Sequence, residues 1–145
     1  MENFQVRRMD EKDLDEIINI YGTITNSPVP PEFKQVTQKR SLDEESACFV
    51  AELDGRIIGF MISNILTLGF GVTKSAWISN LGVNPEHMGQ GIGKKMAEEV
   101  NRFYKIKGIS HIYTSVRWDS TDMLSFFKTL GFERSDFINL QKTID

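Results

Sequence analysis

Short runs of apolar residues along the chain predict a set of β-strands. Branched and aromatic side chains bounded by turn-forming residues are typical of strands, and here they predict strands over residues 4–8, 47–53, 56–64, 76–83, 109–116 and 132–143. The second and third of these runs are joined by Asp54-Gly55, which is a strong signal for a two-residue hairpin.

Apolar residues three and four positions apart predict helices between these strands. Asp10 is placed to cap a helix whose apolar face is Leu14, Ile17, Ile18 and Tyr21, and a weaker helix is predicted over 32–42. Two further helices are predicted over 91–107 and 121–130, each followed by a glycine of the kind that ends helices. Residues 66–74 are predicted as a loop that borders a ligand site or forms a dimer contact.

The run from the fourth predicted strand into the third predicted helix carries the most chemistry. The strand ends at Asn84-Pro85, which cannot continue a ladder, and Gly89, Gly91 and Gly93 follow before the helix. The first N–H groups of a helix have no partner within it and carry partial positive charge, so a glycine-rich turn here favours phosphate binding. An ordinary strand-to-helix turn is the alternative.

Two familiar phosphate loops do not match this turn. A P-loop needs its first glycine where this chain has Met88, and a hydroxyl where it has Lys95. A dinucleotide fingerprint needs the spacing G-x-G-x-x-G at an early strand-to-helix turn, whereas these glycines alternate and come late in the chain.

Composition narrows the class of protein. The 145 residues predict one domain over 1–145, and the net charge of −3 gives no support for nucleic-acid or membrane binding. A single cysteine, Cys48, and the absence of an apolar leader or a long apolar run fit a cytoplasmic protein. The two histidines are far apart, and no metal site is expected.

The loop resembles the pyrophosphate loop of the GCN5-related N-acetyltransferases (GNAT). That motif is Arg/Gln-x-x-Gly-x-Gly/Ala after a strand ending in Val-x-Pro, and this chain has 83–85 as Val-Asn-Pro and 88–93 as Met-Gly-Gln-Gly-Ile-Gly. Met88 departs from the first position of the motif. The chain's opening and its Phe126-Phe127-Lys128-Thr129-Leu130-Gly131-Phe132 stretch are also similar to the family's ends, so the resemblance spans nearly the whole chain.

The resemblance implies an α/β (α+β) GNAT fold. This fold has a mixed sheet of about six to seven strands, a central V-shaped splay between strands 4 and 5, and about four flanking helices. It also implies acetyl-CoA as co-substrate, with backbone of the fourth strand pairing with pantetheine and the glycine loop holding the pyrophosphate. The residues so assigned are Leu81, Gly82, Val83, Met88, Gly89, Gln90, Gly91, Ile92, Gly93, Lys94, Ser120 and Phe127. For Leu81 and Val83, sheet core is an alternative that is compatible with this role.

The family's usual proton-transfer groups are missing. Its usual tyrosine is Phe127 here, its usual asparagine is Ser120, and its carboxylate positions are Ser79, Asn80 and Ser115. The catalytic residues are therefore unknown, and the weak candidates are Ser79, Asn80 and Asp119, with Tyr113 and Glu52 as further ionisable groups. A site without an obvious base suits an amine of low pKa, so we expect α-amines or small amines to be preferred over lysine side chains.

These features predict an N-acetyltransferase that moves an acetyl group from acetyl-CoA to a primary amine by direct transfer in a ternary complex. The acceptor is a protein or peptide N-terminus or a small-molecule amine, and a homodimer is possible by family analogy. Two alternatives stay open: a non-catalytic module that binds acyl-CoA as a sensor or regulatory subunit, and an enzyme with a different acyl donor.

Overall fold

The computed structural model describes residues 3–69 and 72–145. The chain divides into two compact units, Met1–Ser115 and Val116–Asp145. The first contains the sheet with three helices, and the second contains one helix and the C-terminal segment.

The sheet of the first unit has five strands among the described residues. They are β1 (Phe4–Arg8), β2 (Phe49–Leu53), β3 (Arg56–Gly69), β4 (Val72–Val83) and β5 (Ile112–Thr114), and their spatial order follows their chain order. Neighbouring strands from β1 to β4 are antiparallel, whereas β5 runs parallel to β4. This is the mixed sheet that the sequence predicts.

Three helices cover the two faces of the sheet. They are α1 (Leu14–Thr25), α2 (Pro31–Ser41) and α3 (Ile92–Ile106). The main core lies under α1 and α2 and comprises Met9, Ile17, Ile20, Phe33, Cys48, Val50, Ile57, Phe60 and Ile62. On the opposite face α3 buries Ile92, Met96, Val100 and Tyr104.

Tyr104 ties α3 to the centre of the sheet through a closed set of buried hydrogen bonds. Its hydroxyl accepts from the Ala47 N–H at 3.0 Å and lies 2.6 Å from the Ser63 hydroxyl, which in turn donates to the Ala47 carbonyl. Burial raises the pKa of Tyr104, so the phenol stays neutral. Each polar group of this cluster has a partner, as burial requires.

An ion-pair cluster fixes the start of α1. The Arg7 guanidinium binds both oxygens of Asp13 at 2.8 Å and donates to Glu52 at 2.6 Å. Asp13 also accepts from the Asp10 N–H, and Asp10 accepts from the Lys12 N–H, which completes a capping box. Asp10 therefore caps a 3-10 turn over Glu11–Asp13, and the α-helix begins one turn later than the sequence predicts.

The second unit is built around α4 (Thr121–Thr129). The Phe127 side chain is buried and packs edge-on against the rings of Phe126 and Phe132, with ring centroids 5.2 Å and 5.0 Å apart. The Phe132 N–H donates a hydrogen bond to the Phe127 carbonyl at 3.0 Å, and Gly131 has a φ of +90°. This is a glycine-terminated helix end, as the sequence predicts.

Three predicted segments differ from the structure. Residues 66–74 are not an open loop, because β3 runs to Gly69 and β4 starts at Val72; residues 70 and 71 lie outside the described part. The predicted strand over 109–116 shrinks to Ile112–Thr114, since the Ile109 N–H still bonds the Tyr104 carbonyl at the end of α3.

The third difference is the predicted strand over 132–143, which does not form, so the sheet has five strands within residues 3–69 and 72–145 rather than six to seven. Within this segment the Ser135 hydroxyl accepts from the Phe137 N–H and donates to the Phe137 carbonyl. Such local side-chain bonds give the backbone an alternative to a strand ladder.

Candidate active site

A β-bulge in β4 organises the candidate site. The β3–β4 register passes from Ser63 opposite Ile78 to Ile62 opposite Asn80, which leaves Ser79 as an extra residue in β4. The Ser79 hydroxyl donates to the Ile62 carbonyl at 3.3 Å across the bulge.

The bulge reverses which backbone groups of β4 face each neighbouring strand. The Ala76 N–H bonds His111 on the β5 side at 3.0 Å, whereas the Asn84 N–H bonds Ile58 on the β3 side at 2.7 Å. In a regular strand, residues an even number apart face the same neighbour, so one extra residue must intervene. After the bulge, the backbone groups of Leu81 and Val83 therefore face the β5 side.

On that side β4 loses its partner. The parallel pairing joins Ala76, Trp77 and Ile78 of β4 to Ile112, Tyr113 and Thr114 of β5. The Thr114 hydroxyl then bonds the Ile78 carbonyl at 2.9 Å. Among the described residues, no strand pairs with β4 on this side between Ser79 and Val83. The result is a notch between β4 and β5, in which exposed N–H and C=O groups are available to a ligand.

Gly82 lies where β4 packs closely against α1. A Cβ at Gly82 would lie 2.8 Å from the Ile24 side chain and 2.9 Å from the Phe60 ring. Gly82 is therefore buried under α1, where the lack of a side chain allows the helix and the strand to pack closely. Only its backbone is available to a ligand.

The glycine loop follows β4 directly. Asn84 caps a 3-10 turn over Pro85–His87 with a 3.0 Å bond to the Glu86 N–H. Gly89 has φ +80° and Gly91 has φ +76°, a conformation that glycine adopts at little cost. A Cβ at either position would have nothing within 4 Å, so the space in front of both is open.

The helix start after this loop is suited to an anion. Gly91 is the N-cap of α3 and provides no side-chain cap, and the first turn contains no acidic residue. It contains instead Lys94 and Lys95, although cations are normally disfavoured at a helix N-terminus. The α1 helix offers the contrast, because its first turn contains Asp15 and Glu16. Met88 and Gln90 are exposed beside the loop, while Ile92 and Gly93 are buried.

Of the weak catalytic candidates, Ser79 and Asn80 lie at the notch. Asn80 is the register partner of Ile62, so its side chain lies on the sheet face that carries α1 and α2. Its amide is half-buried and has no hydrogen-bond partner in the described part of the chain. Neither residue is a base.

Each of the ionisable candidates interacts with another side chain. Both carboxylate oxygens of Asp119 accept from Arg117 at 3.0 Å, and this pairing lowers the pKa of Asp119, which makes it a weaker base. Glu52 of β2 pairs with Arg7 of β1. Tyr113 stacks on His111 with centroids 6.2 Å apart.

The two assigned residues of the second unit have structural roles there. Ser120 is the N-cap residue of α4, and its carbonyl accepts from the Leu124 N–H at 3.0 Å. Phe127 belongs to the buried aromatic cluster and has no proton to donate. Their assignment to the cofactor stays a prediction.

The family model decides the class of protein. The model described as "Acetyltransferase (GNAT) family" matches residues 14–132, which is more than half of the chain. The chain belongs to the GNAT acetyltransferase family. The matched span includes the bulged strand, the notch and the glycine loop.

Solved structures share the fold over nearly the whole chain. An aminoglycoside acetyltransferase from an uncultured soil metagenomic sample, in complex with sisomicin, has a TM-score of 0.80 at 23% identity, with 99% of this chain and 97% of that chain covered. AAC(6')-Iy in complex with a CoA bisubstrate analog has a TM-score of 0.82 at 18% identity, with 98% and 99% covered. A transcriptional regulator from Bacillus halodurans C-125 has a TM-score of 0.80 at 19% identity, with 97% and 99% covered. At these identities the likeness concerns the fold.

Two features are absent from the described residues. No group of three or more His, Cys, Asp or Glu side chains is placed to hold a metal ion. No helix in the described ranges combines the length and apolar character needed to cross a membrane.

The bulge is the feature that sequence reasoning missed. Its signal in the sequence is the pair Ser79-Asn80, two consecutive polar residues inside the otherwise apolar run over 76–83. Strict alternation cannot place both on one polar face, so the pair indicates a change of phase in the strand.

Proposed function

We propose that this acetyltransferase moves an acetyl group from acetyl-CoA to a primary amine, which is a protein or peptide N-terminus or a small-molecule amine. Transfer is direct, within a ternary complex of protein, acetyl-CoA and amine. The observation that carries the proposal is the notch at Leu81 and Val83 followed at once by an uncapped helix start with open glycines.

The two features match the two halves of coenzyme A. The pantetheine arm carries amides, which can pair with the backbone groups that face the notch. The diphosphate carries negative charge, which the N–H groups from Gly89 to Lys94 and the helix dipole stabilise. Because backbone groups make these contacts, the departure of Met88 from the family motif removes at most a side-chain contact.

The reaction needs an amine nucleophile and stabilisation of the thioester oxygen. The amine nitrogen attacks the carbonyl carbon, a C–N bond forms, the C–S bond breaks, and its electron pair leaves on sulfur. The Leu81 N–H, which faces the notch, is the donor assigned to the developing oxyanion. The amine loses a proton to water, and water protonates the thiolate, since thiols have a pKa of about 8.5.

Names of structural neighbours support an amine as acceptor. Two of them are aminoglycoside acetyltransferases, and one of these is bound to an analog that joins CoA to an acetylated amine. The identity of the amine that this chain acetylates depends on its own residues at the notch.

The test combines binding and turnover. Isothermal titration with acetyl-CoA and with CoA should show saturable binding, and release of free thiol should then depend on added amine. Mass spectrometry of the products should show a gain of one acetyl group on nitrogen. Absence of CoA binding at millimolar concentration would overturn the proposal.

The sensor alternative has one observation in its favour, because Phe127 replaces the usual proton donor. Saturable CoA binding without turnover on a broad amine panel would favour it. Thiol release that depends on an amine would exclude it.

A further inference from the structure

The sheet face beside the notch carries a row of uncharged side chains. Asn64 of β3 is the register partner of Trp77 of β4, and Trp77 is the register partner of Tyr113 of β5. Partners in a ladder project to the same face. These three residues, which we call the platform, therefore lie side by side across three strands.

The platform lies on the face that carries α1 and α2. Asn64 is two residues after Ile62, and alternate residues of a strand share a face. Ile62 belongs to the core under α1 and α2. The platform residues are only half-buried, so this part of the face is open to a ligand.

Asn80 extends the platform toward the notch. The bulge places its side chain on the same face, while the backbone of the next residue, Leu81, faces the notch. Consecutive Cα atoms are about 3.8 Å apart, so a ligand group at the Leu81 N–H is within reach of the Asn80 amide. Neither the Asn80 amide nor the Trp77 indole N–H has a hydrogen-bond partner in the described part of the chain.

Resting on the proposed function, we infer that Asn80 and the platform select an α-amine carried by an uncharged aromatic residue, as at the N-terminus of a peptide that begins with an aromatic amino acid. The side-chain amide oxygen of Asn80 accepts a hydrogen bond from the amine N–H and orients the nitrogen toward the thioester. Asn80 is a positioning residue, because an amide cannot act as a base. The aromatic side chain of the acceptor stacks on Trp77.

The absence of charged side chains among the platform residues and Asn80 favours this class of acceptor. Asn64, Trp77 and Asn80 are all uncharged, and so is Ile62 beside them. A polycationic acceptor needs carboxylates to replace the water around its ammonium groups. A free amino acid would bring a carboxylate to a face where these residues offer no cation. A peptide N-terminus with an aromatic first residue has neither extra charge.

The first arm of the test uses the unmodified protein and four acceptors. Phenylalaninamide, glycinamide, lysinamide and free phenylalanine share the α-amine and differ in side chain or terminal charge. We expect kcat/KM for phenylalaninamide to exceed that of each of the others by about tenfold or more. Equal or higher efficiency for lysinamide would overturn the inference, because a cation would then be favoured on the aromatic surface.

The second arm uses variants. Trp77→Ala should lower kcat/KM for phenylalaninamide about tenfold and leave glycinamide unchanged, whereas Trp77→Phe should retain most of the preference. Asn80→Ala should lower kcat/KM for both amides, and Asn80→Asp should shift the preference toward lysinamide. Asn101→Ala, at an exposed position of α3, is the control. An equal loss for both amides in Trp77→Ala would overturn the stacking role.

Titration with CoA separates the two proposals. Each variant should bind CoA as the unmodified protein does, since CoA is assigned to backbone groups. Absence of CoA binding by the unmodified protein counts against the proposed function. Turnover with a flat preference across the four acceptors counts against the inference alone.

Discussion

A methyl group added at Gly91 tests whether the open space in front of the glycine loop is a ligand site. Gly91 has φ +76°, and nothing lies within 4 Å of an added Cβ. The chain offers a matched control at the other end of the same helix: Gly108 has φ +79° and equally open surroundings. The variants Gly91→Ala and Gly108→Ala therefore share the same backbone strain and differ only in location.

The cost in stability should be nearly the same for both variants. An L-residue in the left-handed conformation costs about 1–2 kcal/mol, and the reduced entropy of the unfolded chain returns about 0.4–1 kcal/mol. A net loss of about 1 kcal/mol corresponds to a fall in Tm of roughly 2–4 °C for a chain of this size.

Only Gly91→Ala should weaken the affinity for CoA. Its methyl group would enter the space assigned to the diphosphate and displace at least one charge-assisted hydrogen bond, worth about 1.5–3 kcal/mol. This corresponds to roughly a tenfold to hundredfold rise in Kd.

Isothermal titration with CoA and thermal unfolding, run on both variants and the unmodified protein, measure the two costs separately. Unchanged CoA affinity in Gly91→Ala would refute the assignment of the loop. So would an equal loss of affinity in Gly108→Ala, because the effect would then come from general destabilisation.

Three further predictions concern stability and pH. Tyr104→Phe should lower the free energy of unfolding by about 1–3 kcal/mol in urea titration, because it leaves the buried Ala47 N–H without an acceptor; an unchanged midpoint would contradict the buried network. Burial would raise the pKa of Asp13, but the hydrogen bonds from Arg7 and from the Asp10 N–H hold it below its ordinary value of 3.8. The ionised Asp13 carboxylate therefore stabilises the folded state fully above pH 3.8, and this contribution to the free energy of unfolding is lost as pH falls through the lower, folded-state pKa. Asp13→Asn should flatten the acid side of the stability profile, and a profile parallel to that of the unmodified protein would be inconsistent with this role. Finally, an α-amine of pKa about 8 should be acetylated more than a hundredfold faster at pH 7 than a lysine side chain of pKa about 10.4, measured with glycinamide and Nα-acetyl-lysinamide; equal efficiency would remove the argument from the missing base.

Much of the fold could be predicted because local signals agreed with tertiary packing. The Asp54-Gly55 hairpin, the helix ends at Gly108 and Gly131, and the apolar stripe of α3 all appear where the sequence indicates. The loop at Gly89 and Gly91 was also predictable, since positive φ and an uncapped helix start depend on glycine itself.

Other features depend on pairing between strands, which composition does not reveal. The facing strands β3 and β4 were predicted over 56–64 and 76–83, but residues 66–74 between them were predicted as a loop, because Gly69 and Gly71 outweighed the strand-forming residues beside them. The tail after Phe132 has the alternation of a strand, but the local bonds of Ser135 compete with a ladder. The bulge at Ser79 changes the phase of β4; the pair Ser79-Asn80 indicates such a change, and the register with β3 shows where it lies.

The single surplus residue in β4 also has an evolutionary consequence. If β4 ran through Ser79 without a bulge, the later part of the strand would have the opposite phase. The amides of Asn80 and Gly82 would then face the β5 side, and those of Leu81 and Val83 would face β3. Recognition of the donor would thus depend on the bulge and on backbone groups, whereas the side chains of Asn80, Leu81 and Val83 could change without removing those groups. Such an arrangement lets acceptor preference diverge while the donor is retained.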